Sequence, residues 1–456
     1  MGVILDPPEG RRAFFSPASR FEQIRAVFAE RIHLVAPMRQ RLLSPPLGLG
    51  ATVFADDPEF DIDDHLSRIG LPDPGGHHEL EDLFAAFMAR PLDADRPLWE
   101  LTVVEGLAQE RTAVFAKLHH SIIDGISGAG AMAHFFDLGP RAQPMSPGPA
   151  FSPTALPGVA DLAMQGAQGL LRQVSTSLGA LTRTVENAAS AVDSIANLPV
   201  LPFAASRSSV SGTTSSMRRY RSVEFDLARL KEAARRYDAT VTETILTLVG
   251  GALRFLMIER GEDPEPDLNA LVPITVDDLR HGNELGNHIS AMFVRLGITE
   301  ADAAARMEIV KASARQGRRG DSAFGGRLLA DIADAAGPLL ATGLARWAYG
   351  ARIFDVLPPI ANVIVSSVPG PEFPLFMAGS KVAELMPSGP LQGGTGINVT
   401  VFSHEGKLAV GALSCKRLVP DLESFRTGLV LTADELGLGS PLIHRGDLGL
   451  VVDTTA

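Results

Sequence analysis

One segment of the chain places side chains capable of acid–base chemistry at a fixed spacing. It is Leu118-His119-His120-Ser121-Ile122-Ile123-Asp124-Gly125, and it has the pattern HHxxxDG. An apolar run of strand length precedes the segment, and a helix-length run rich in Gly and Ala follows it. Neutral imidazole accepts a proton readily near neutral pH. One of the two histidines is therefore a candidate general base.

The two histidines are expected to differ in role. Successive side chains at the end of a strand point to opposite faces, so one imidazole can face a cavity while the other supports the fold. Asp124 could orient an imidazole, pair with an arginine or cap the following helix. A hydrogen-bonded core histidine is an equally good interpretation of the pattern alone, and a metal site at His119, His120 and Asp124 is a weaker one.

Two other features carry weaker chemical signals. The segment His77-His78-Glu79-Leu80-Glu81-Asp82 repeats the HHxxxD pattern, but Leu83 stands where the glycine would be. We interpret it as a solvated helix start, because an amphipathic apolar pattern follows. Cys415 is the single cysteine, and we interpret it as buried bulk rather than a nucleophile.

Composition limits the class of protein. The hydrophobic share is 45% and the charged share 21%, which are typical of a folded soluble protein. A net charge of -12 argues against nucleic acid as a partner, and one cysteine favours a reducing compartment. With no signal-peptide pattern and no apolar stretch that suggests a membrane span, a cytoplasmic protein that touches membranes at most at its surface is expected.

The order of patterns along the chain predicts an α/β protein with two lobes. Residues 1–140 alternate strand-like and helix-like stretches and contain the HHxxxDG segment. Residues 141–215 combine a Pro/Ser-rich linker, a weakly charged helical crossover at about 161–195 and a Ser/Thr-rich run. Residues 216–456 again alternate strands and helices. A site between the lobes is expected.

Several motifs in order resemble one acyltransferase family. HHxxxDG resembles the hallmark of the superfamily that includes chloramphenicol acetyltransferase and the condensation domains of peptide synthetases. More specific matches to the bacterial wax ester synthase/acyl-CoA:diacylglycerol acyltransferases are Pro91-Leu92-Asp93-Ala94-Asp95-Arg96-Pro97-Leu98-Trp99-Glu100, Gly286-Asn287, Ser366-Ser367-Val368-Pro369-Gly370-Pro371 and Gly396-Ile397-Asn398-Val399-Thr400-Val401. The resemblance spans nearly the full chain, and Met1-Gly2-Val3 resembles a position already inside the family's first strand.

The chain departs from the family pattern at two internal places. Thr242-Glu243 stands where the family has Asn-Asp, and Ser367 replaces an asparagine.

The resemblance implies a fold and a mechanism. The expected fold is α/β (α+β), with two chloramphenicol-acetyltransferase-like lobes of mixed sheets around a channel. His120 would be the general base that activates an acceptor hydroxyl for attack on the thioester of a long-chain acyl-CoA. The remaining assignments are support by His119, Asp124, Gly125, Pro97 and Trp99, an oxyanion donor at Asn398 or Thr400, and a site-shaping role for Asn287.

The resemblance also implies the substrates and partners. The acceptor would be diacylglycerol or a fatty alcohol, acyl-CoA would be a substrate rather than a cofactor, and no metal is expected. The protein would associate reversibly with a membrane or lipid-droplet surface. Two alternatives are a catalytically weak lipid- or acyl-CoA-binding relative and an acyltransferase acting on another alcohol or amine. The sequence does not determine acceptor, acyl length or oligomeric state.

Overall fold

The protein is described by a computed structural model. The residues that it describes are 1–8, 17–45, 52–122, 133–141, 148, 151–158, 160–164, 168, 205–275, 289–321, 347 and 349–442. In chain order, the elements within these ranges are β1 (Gly2–Leu5), α1 (Pro17–Arg31), β2 (Gln40–Leu43), β3 (Val53–Asp56), β4 (Leu66–Gly70), α2 (His77–Ala89), β5 (Trp99–Glu105), β6 (Thr112–Leu118), β7 (Ser211–Gly212), β8 (Arg218–Asp226), α3 (Leu227–Arg236), α4 (Val241–Glu259), β9 (Asn269–Thr275), β10 (Ile289–Arg295), α5 (Ala303–Asp321), β11 (Val363–Val368), β12 (Phe376–Met377), β13 (Ser380–Met386), β14 (Gly394–Thr395), β15 (Ile397–His404), β16 (Lys407–Cys415) and α6 (Leu422–Glu435).

The first lobe is built on a mixed sheet with the strand order β12-β13-β1-β6-β5-β4. Its pairs are antiparallel except for β4 and β5, which run parallel. Strand alternation divides the apolar residues between two faces. Val114 and Ala116 pack with Phe28 of α1, whereas Ala113 and Phe115 pack with α2. The sheet is therefore covered by a helix on each face.

The second lobe contains a mixed sheet with the order β10-β9-β11-β15-β16-β8. The inner strand β11 runs parallel to both β9 and β15, and the remaining pairs are antiparallel. Ile397, Val399 and Val401 face a core that includes residues of α3, α4, α5 and α6. The opposite face of the sheet meets the first lobe, where Phe402 packs against the apolar cluster that contains Phe28 and Val114.

The two lobes are connected by strands that the C-terminal segment contributes to the first sheet and by hydrogen bonds between the lobes. Strands β12 and β13 belong to the predicted C-terminal segment, 216–456, but they complete the sheet of the first lobe. Chain position alone therefore does not separate the two sheets, because β13 pairs along β1 from Gly2 to Leu5. Directly after β13, the carbonyl of Pro387 accepts a hydrogen bond of 3.1 Å from the Tyr220 hydroxyl on β8.

Helix α4 is the central helix of the second lobe. Within the described part of the chain, it is the one helix that is long and apolar enough to span a membrane, which the sequence interpretation had not anticipated. Most of its side chains are buried, and it packs against α5 and α6. Thr240 and Glu243 begin the helix with reciprocal side-chain-to-backbone hydrogen bonds. This environment is that of a core helix.

The α/β class and the two mixed sheets are confirmed. The predicted crossover at 161–195 lies almost wholly outside the described residues, apart from helical residues 161–164 and 168, among which Leu162 is buried.

Candidate active site

The two histidines lie just beyond the end of β6. The strand ends at Leu118, and the backbone N–H of Ile122 donates a hydrogen bond of 2.9 Å to the carbonyl of His119, which closes a turn. The alternation of a strand therefore does not separate the two imidazoles, because both leave the backbone of the turn. Strand geometry alone therefore does not assign the directions of the two side chains, and their different roles stay a prediction that their contacts can support.

His119 makes local hydrogen bonds within this turn. Its Nδ1 accepts from the backbone N–H of Ser121 at 3.2 Å and lies 2.7 Å from the Ser121 hydroxyl. An accepting Nδ1 places the proton on Nε2 in the neutral ring. Partial desolvation lowers the pKa of His119, and the neighbouring His120 lowers it further. The His120 side chain is exposed, and within the described ranges no hydrogen bond engages its ring.

The PLWE segment fixes the position of this turn. The backbone N–H of His119 donates to the carbonyl of Leu98 at 2.9 Å, and Trp99 pairs with Leu118 across β5 and β6. The Trp99 indole donates to the carbonyl of Met38 at 2.8 Å and stacks on His65, with ring centroids 4.4 Å apart. The backbone N–H of Trp99 also donates to Pro97 at 2.8 Å. Pro97 and Trp99 therefore lie in the framework beside the histidines.

Lys117 is a supporting residue that sequence reasoning missed. Its ammonium group donates to the carbonyls of Phe87 at 2.6 Å and Arg90 at 2.8 Å, and to Glu100 Oε1 at 2.5 Å. Burial lowers its pKa, although Glu100 opposes that effect. These bonds attach the C-terminal end of α2 to β6, the strand that precedes the histidines. A lysine in an apolar strand adjoining the HHxxxDG motif was the available signal.

Asn398 and Thr400 come together on β15 and hold a loop. The Thr400 hydroxyl donates to Asn398 Oδ1 at 2.8 Å, and Asn398 Nδ2 donates to the carbonyl of Pro390 at 3.0 Å. A Cβ on Gly389 would approach Asn398 Oδ1 to 2.8 Å, so the loop lies directly against the amide. The Thr400 hydroxyl and one of the two N–H groups of Asn398 Nδ2 are thus used within the protein in this arrangement. The structure gives them a positioning role for the loop at 387–393.

Three predicted site residues cannot be placed. Asp124, Gly125 and Asn287 lie outside the described residues. Of the other motif positions, Ser367 is exposed on β11 and pairs with Val401 of β15.

The departure at Thr242-Glu243 lies in the first turn of α4. Glu243 is buried, and its Oε2 accepts from the backbone N–H of Thr240 at 2.8 Å. Its Oε1 accepts from Arg318 Nη2 of α5 at 2.7 Å. Burial would raise the pKa of Glu243, but the hydrogen bonds from Arg318 and Thr240 outweigh burial and lower it. In this chain the glutamate therefore stabilises the start of a core helix.

The second HHxxxD segment joins the lobes. Helix α2 does begin at His77, but the expectation of a solvated helix start is wrong for Glu81, which is 0% exposed. Glu81 Oε1 accepts from the backbone N–H of Ser222 at 2.6 Å and lies 3.3 Å from His77 Nε2. Its Oε2 lies 3.6 Å from Arg221 Nε of β8 and 3.7 Å from Arg426 Nη1 of α6. We call Glu81, His77, Arg221 and Arg426 the inter-lobe ion cluster.

The charges of this cluster keep the buried carboxyl group ionised. Burial would raise the pKa of Glu81, but the hydrogen bond and charge of His77, together with Arg426 and Arg221, outweigh burial and lower it. Sequence reasoning missed this role because a polar helix face is normally predicted to meet solvent. Here the second lobe covers that face of α2.

Cys415 is buried at the end of β16, as the sequence interpretation held. Its Sγ accepts from the backbone N–H of Ser215 at 3.1 Å, a partner that the sequence did not identify. Burial would raise the pKa of the thiol, but the hydrogen bonds with Ser215 outweigh it and lower the pKa. In the described part of the chain, no group of three or more His, Cys, Asp or Glu residues is arranged to hold a metal ion.

The two mixed sheets and the histidine turn define a class of fold that solved structures share. The wax ester synthase/diacylglycerol acyltransferase from Marinobacter aquaeolei VT8 superposes with a TM-score of 0.67 at 23% identity, covering 96% of this chain and 93% of that chain. The first condensation domain of the CDA synthetase gives a TM-score of 0.50 at 17% identity, covering 97% and 93%. The fold is thus that of the two-lobed acyltransferases and condensation domains.

Sequence comparison identifies the family within this class. Residues 4–245 match the wax ester synthase/diacylglycerol acyltransferase catalytic domain, and residues 285–436 match the C-terminal domain of the same family. A Mycobacterium tuberculosis protein provisionally named as a diacylglycerol O-acyltransferase is 31% identical over 431 residues, covering 91% of this chain and 82% of that protein. Another, from the same organism, is 31% identical over 415 residues, covering 91% and 87%. The chain belongs to the wax ester synthase/diacylglycerol acyltransferase family.

Proposed function

We propose that the protein transfers a long-chain fatty acyl group from acyl-CoA to the hydroxyl of diacylglycerol or of a fatty alcohol. The products are a triacylglycerol or a wax ester and free CoA. The observation that carries the proposal is the match of residues 4–245 to the catalytic domain of the family, within which the HHxxxDG segment lies. The accessible imidazole of His120 in the turn after β6 supports it.

In the proposed reaction, His120 is the general base. Its imidazole takes the proton of the acceptor hydroxyl as the oxygen attacks the thioester carbonyl, which forms a tetrahedral intermediate. The intermediate collapses by breaking the carbon–sulfur bond, and the CoA thiolate leaves and receives the proton back from His120. Transfer is direct, without an acyl-enzyme, and it uses no metal or bound cofactor. His119, Asp124 and Gly125 support the turn, and Asn287 shapes the site.

Asn398 and Thr400 remain the proposed residues for the oxyanion side of the site. Their hydrogen bonds to each other and to Pro390 support an indirect contribution, in which they fix the loop at 387–393. A direct hydrogen bond to the oxyanion would come from the second N–H of Asn398 Nδ2, because the Pro390 carbonyl uses the first and Asn398 Oδ1 uses the Thr400 hydroxyl hydrogen.

One assay tests the function and its alternatives. Purified protein is mixed with palmitoyl-CoA and, separately, with diacylglycerol, hexadecanol and small soluble alcohols, and release of the CoA thiol is followed. We expect thiol release that depends on diacylglycerol or hexadecanol, with the matching ester as product. Binding of palmitoyl-CoA without thiol release for any acceptor would instead identify a lipid-binding relative. Release only with other alcohols or amines would identify a different acyltransferase.

Substrates of this kind reside in lipid phases. We therefore propose that the protein associates reversibly with a membrane or lipid surface and is otherwise cytoplasmic.

A further inference from the structure

Several large apolar side chains of the second lobe are exposed to solvent in one region of the surface. The chain has two tryptophans, of which Trp99 is 3% exposed and Trp347 is 60% exposed. Val356 and Leu357 are 67% and 52% exposed, and Tyr349 is 40% exposed. Met217, before β8, is 56% exposed. We call Trp347, Tyr349, Val356, Leu357 and Met217 the Trp347 patch.

Backbone and ring contacts make this patch continuous. The backbone N–H of Ala351 donates to Trp347 at 2.7 Å, and that of Arg352 donates to Tyr349 at 3.1 Å. The Tyr349 ring meets the Phe354 ring edge-on, with centroids 5.2 Å apart. The backbone N–H of Lys416 donates to the carbonyl of Met217 at 3.0 Å, and the neighbouring Arg417 pairs with Asp355 at 3.0 Å. The exposed apolar groups therefore belong to one surface.

Several cations lie in or beside the described residues of the patch. Asp355 accepts from Arg352 Nε at 2.8 Å and from Arg417 Nη2 at 3.0 Å, and its backbone carbonyl accepts from Arg207. The Asp355 carboxylate thus pairs with two guanidinium groups, and its backbone carbonyl accepts from a third. Arg218 donates to the backbone carbonyls of Ser215 and Met217, and Lys416 is exposed. Among the described residues, Arg207, Arg218, Arg352, Lys416 and Arg417 thus bring five cations to this region, and Asp355 is the carboxylate with which two of them pair, in a chain whose net charge is -12.

This combination matches the chemistry of an anionic phospholipid surface. Tryptophan and tyrosine favour the membrane–water interface, where the ring is buried and the polar atom stays hydrated. Guanidinium groups bind phosphate through two parallel hydrogen bonds. A cationic patch on an acidic protein is attracted to anionic lipid, whereas the acidic remainder of the surface is repelled by it, so the patch would face the bilayer.

We propose that the Trp347 patch docks the protein on an anionic phospholipid bilayer. The patch also lies beside the loop that Asn398 holds. A Cβ on Gly393 would approach the Phe354 ring to 2.7 Å and the Tyr349 hydroxyl to 2.9 Å. Gly393 follows Pro390 by three residues in the same loop, so the loop connects the docking surface with Asn398. Docking presents the site to acceptors dissolved in the bilayer, and this last step rests on the proposed function.

Vesicle binding tests the surface directly. The full chain is titrated with vesicles of phosphatidylglycerol and phosphatidylcholine, and with phosphatidylcholine alone, while tryptophan emission and flotation are measured. We expect a blue shift and quenching by lipids with brominated acyl chains, on anionic vesicles only. Because Trp99 is buried, the change reports Trp347. Trp347→Ser should abolish the shift, and the double substitution Lys416→Gln with Arg417→Gln should weaken binding about tenfold or more.

Matched controls use exposed residues elsewhere. Phe373→Ser removes another exposed aromatic ring, and Arg235→Gln with Arg236→Gln removes two adjacent exposed cations of α3. These controls should bind as the unchanged protein does. Equal binding to phosphatidylcholine alone, or equal losses in patch and control variants, would overturn the proposal. So would self-association at rising protein concentration that disappears in Trp347→Ser, because the patch would then bind a second copy.

Thiol release with a soluble short-chain alcohol separates this proposal from the proposed function. Patch variants should lose vesicle binding and keep this soluble activity. If the unchanged protein binds vesicles through the patch but releases no thiol with any acceptor, the docking surface stands and the acyltransferase function fails.

Discussion

At the scale of single residues, the two histidines differ in their hydrogen bonds. Both residues are exposed, but the His119 ring accepts from the backbone N–H of Ser121, whereas among the described residues no hydrogen bond engages the His120 ring. A side chain that is hydrogen-bonded to its own backbone turn orients that turn, and an accessible imidazole is available to a substrate hydroxyl.

Substitution of each histidine should therefore have a different effect. We expect His120→Ala to reduce kcat by about 10² to 10⁴, the usual loss for a general base, with an unchanged Tm. His119→Ala should cost about 1 kcal/mol of stability, because the lost hydrogen bonds lie at an exposed turn. Thiol-release kinetics and thermal unfolding would measure the two effects. A His120→Ala variant with undiminished turnover, or a stable but inactive His119→Ala variant, would show that the base is misassigned.

At the scale of elements, the sequence predicted the strands and helices whose apolar residues recur at a regular spacing. The strand at 112–118 has the bounds that were expected, and helices near 228–237 and 242–258 lie within a residue or two of α3 and α4. Strand β13 was missed because its partners lie far away in the sequence, at Gly2–Leu5. Helices α5 and α6 were missed too, although Asp421 caps α6.

Close packing, rather than helix propensity, explains why α4 contains glycine at position 250. A Cβ on Gly250 would run into the backbone carbonyl of Leu296, which cannot move aside as a flexible side chain can. We expect Gly250→Ala to destabilise the protein by about 1 to 3 kcal/mol, although alanine is the better helix former. The control is Gly317→Ala in α5, where the nearest atom would be at 3.4 Å. That change should be neutral or stabilising by about 0.5 to 1 kcal/mol. Urea unfolding compares them, and equal effects would contradict the packing explanation.

At the scale of the whole molecule, charged residues hold the lobes together. The sequence identified Glu81 by its pattern but not its role, because burial of Glu81 depends on Arg221 and Arg426 of the other lobe. The same limit applies to the candidate site. The motifs located the histidines, whereas the hydrogen bonds of Asn398 to the loop follow from a chain path that no local pattern encodes.

Removal of the Glu81 charge should weaken the joint between the lobes. We expect Glu81→Gln to cost about 3 kcal/mol, since two buried guanidinium groups lose a partner. Glu232→Gln, at an exposed site on α3, should change stability little. Because the folded-state pKa of Glu81 lies below its ordinary value, its contribution is present above pH 4.5 and is lost as the pH falls further. The Gln variant should lack this part of the acid dependence in urea unfolding. The assignment would be refuted if the free energy of unfolding of Glu81→Gln fell at low pH by as much as that of the unchanged protein.

Strand β13 has a consequence for biosynthesis. During translation, β1 and β6 leave the ribosome early, but the neighbour of β1 on its other side is made only when residues 380–386 appear. Until then the nascent first sheet presents an open strand edge, which is a template for pairing with other chains. The first lobe therefore matures after most of the second has been synthesised, and a ribosome-stalled chain that ends before residue 380 should require chaperone protection of that edge.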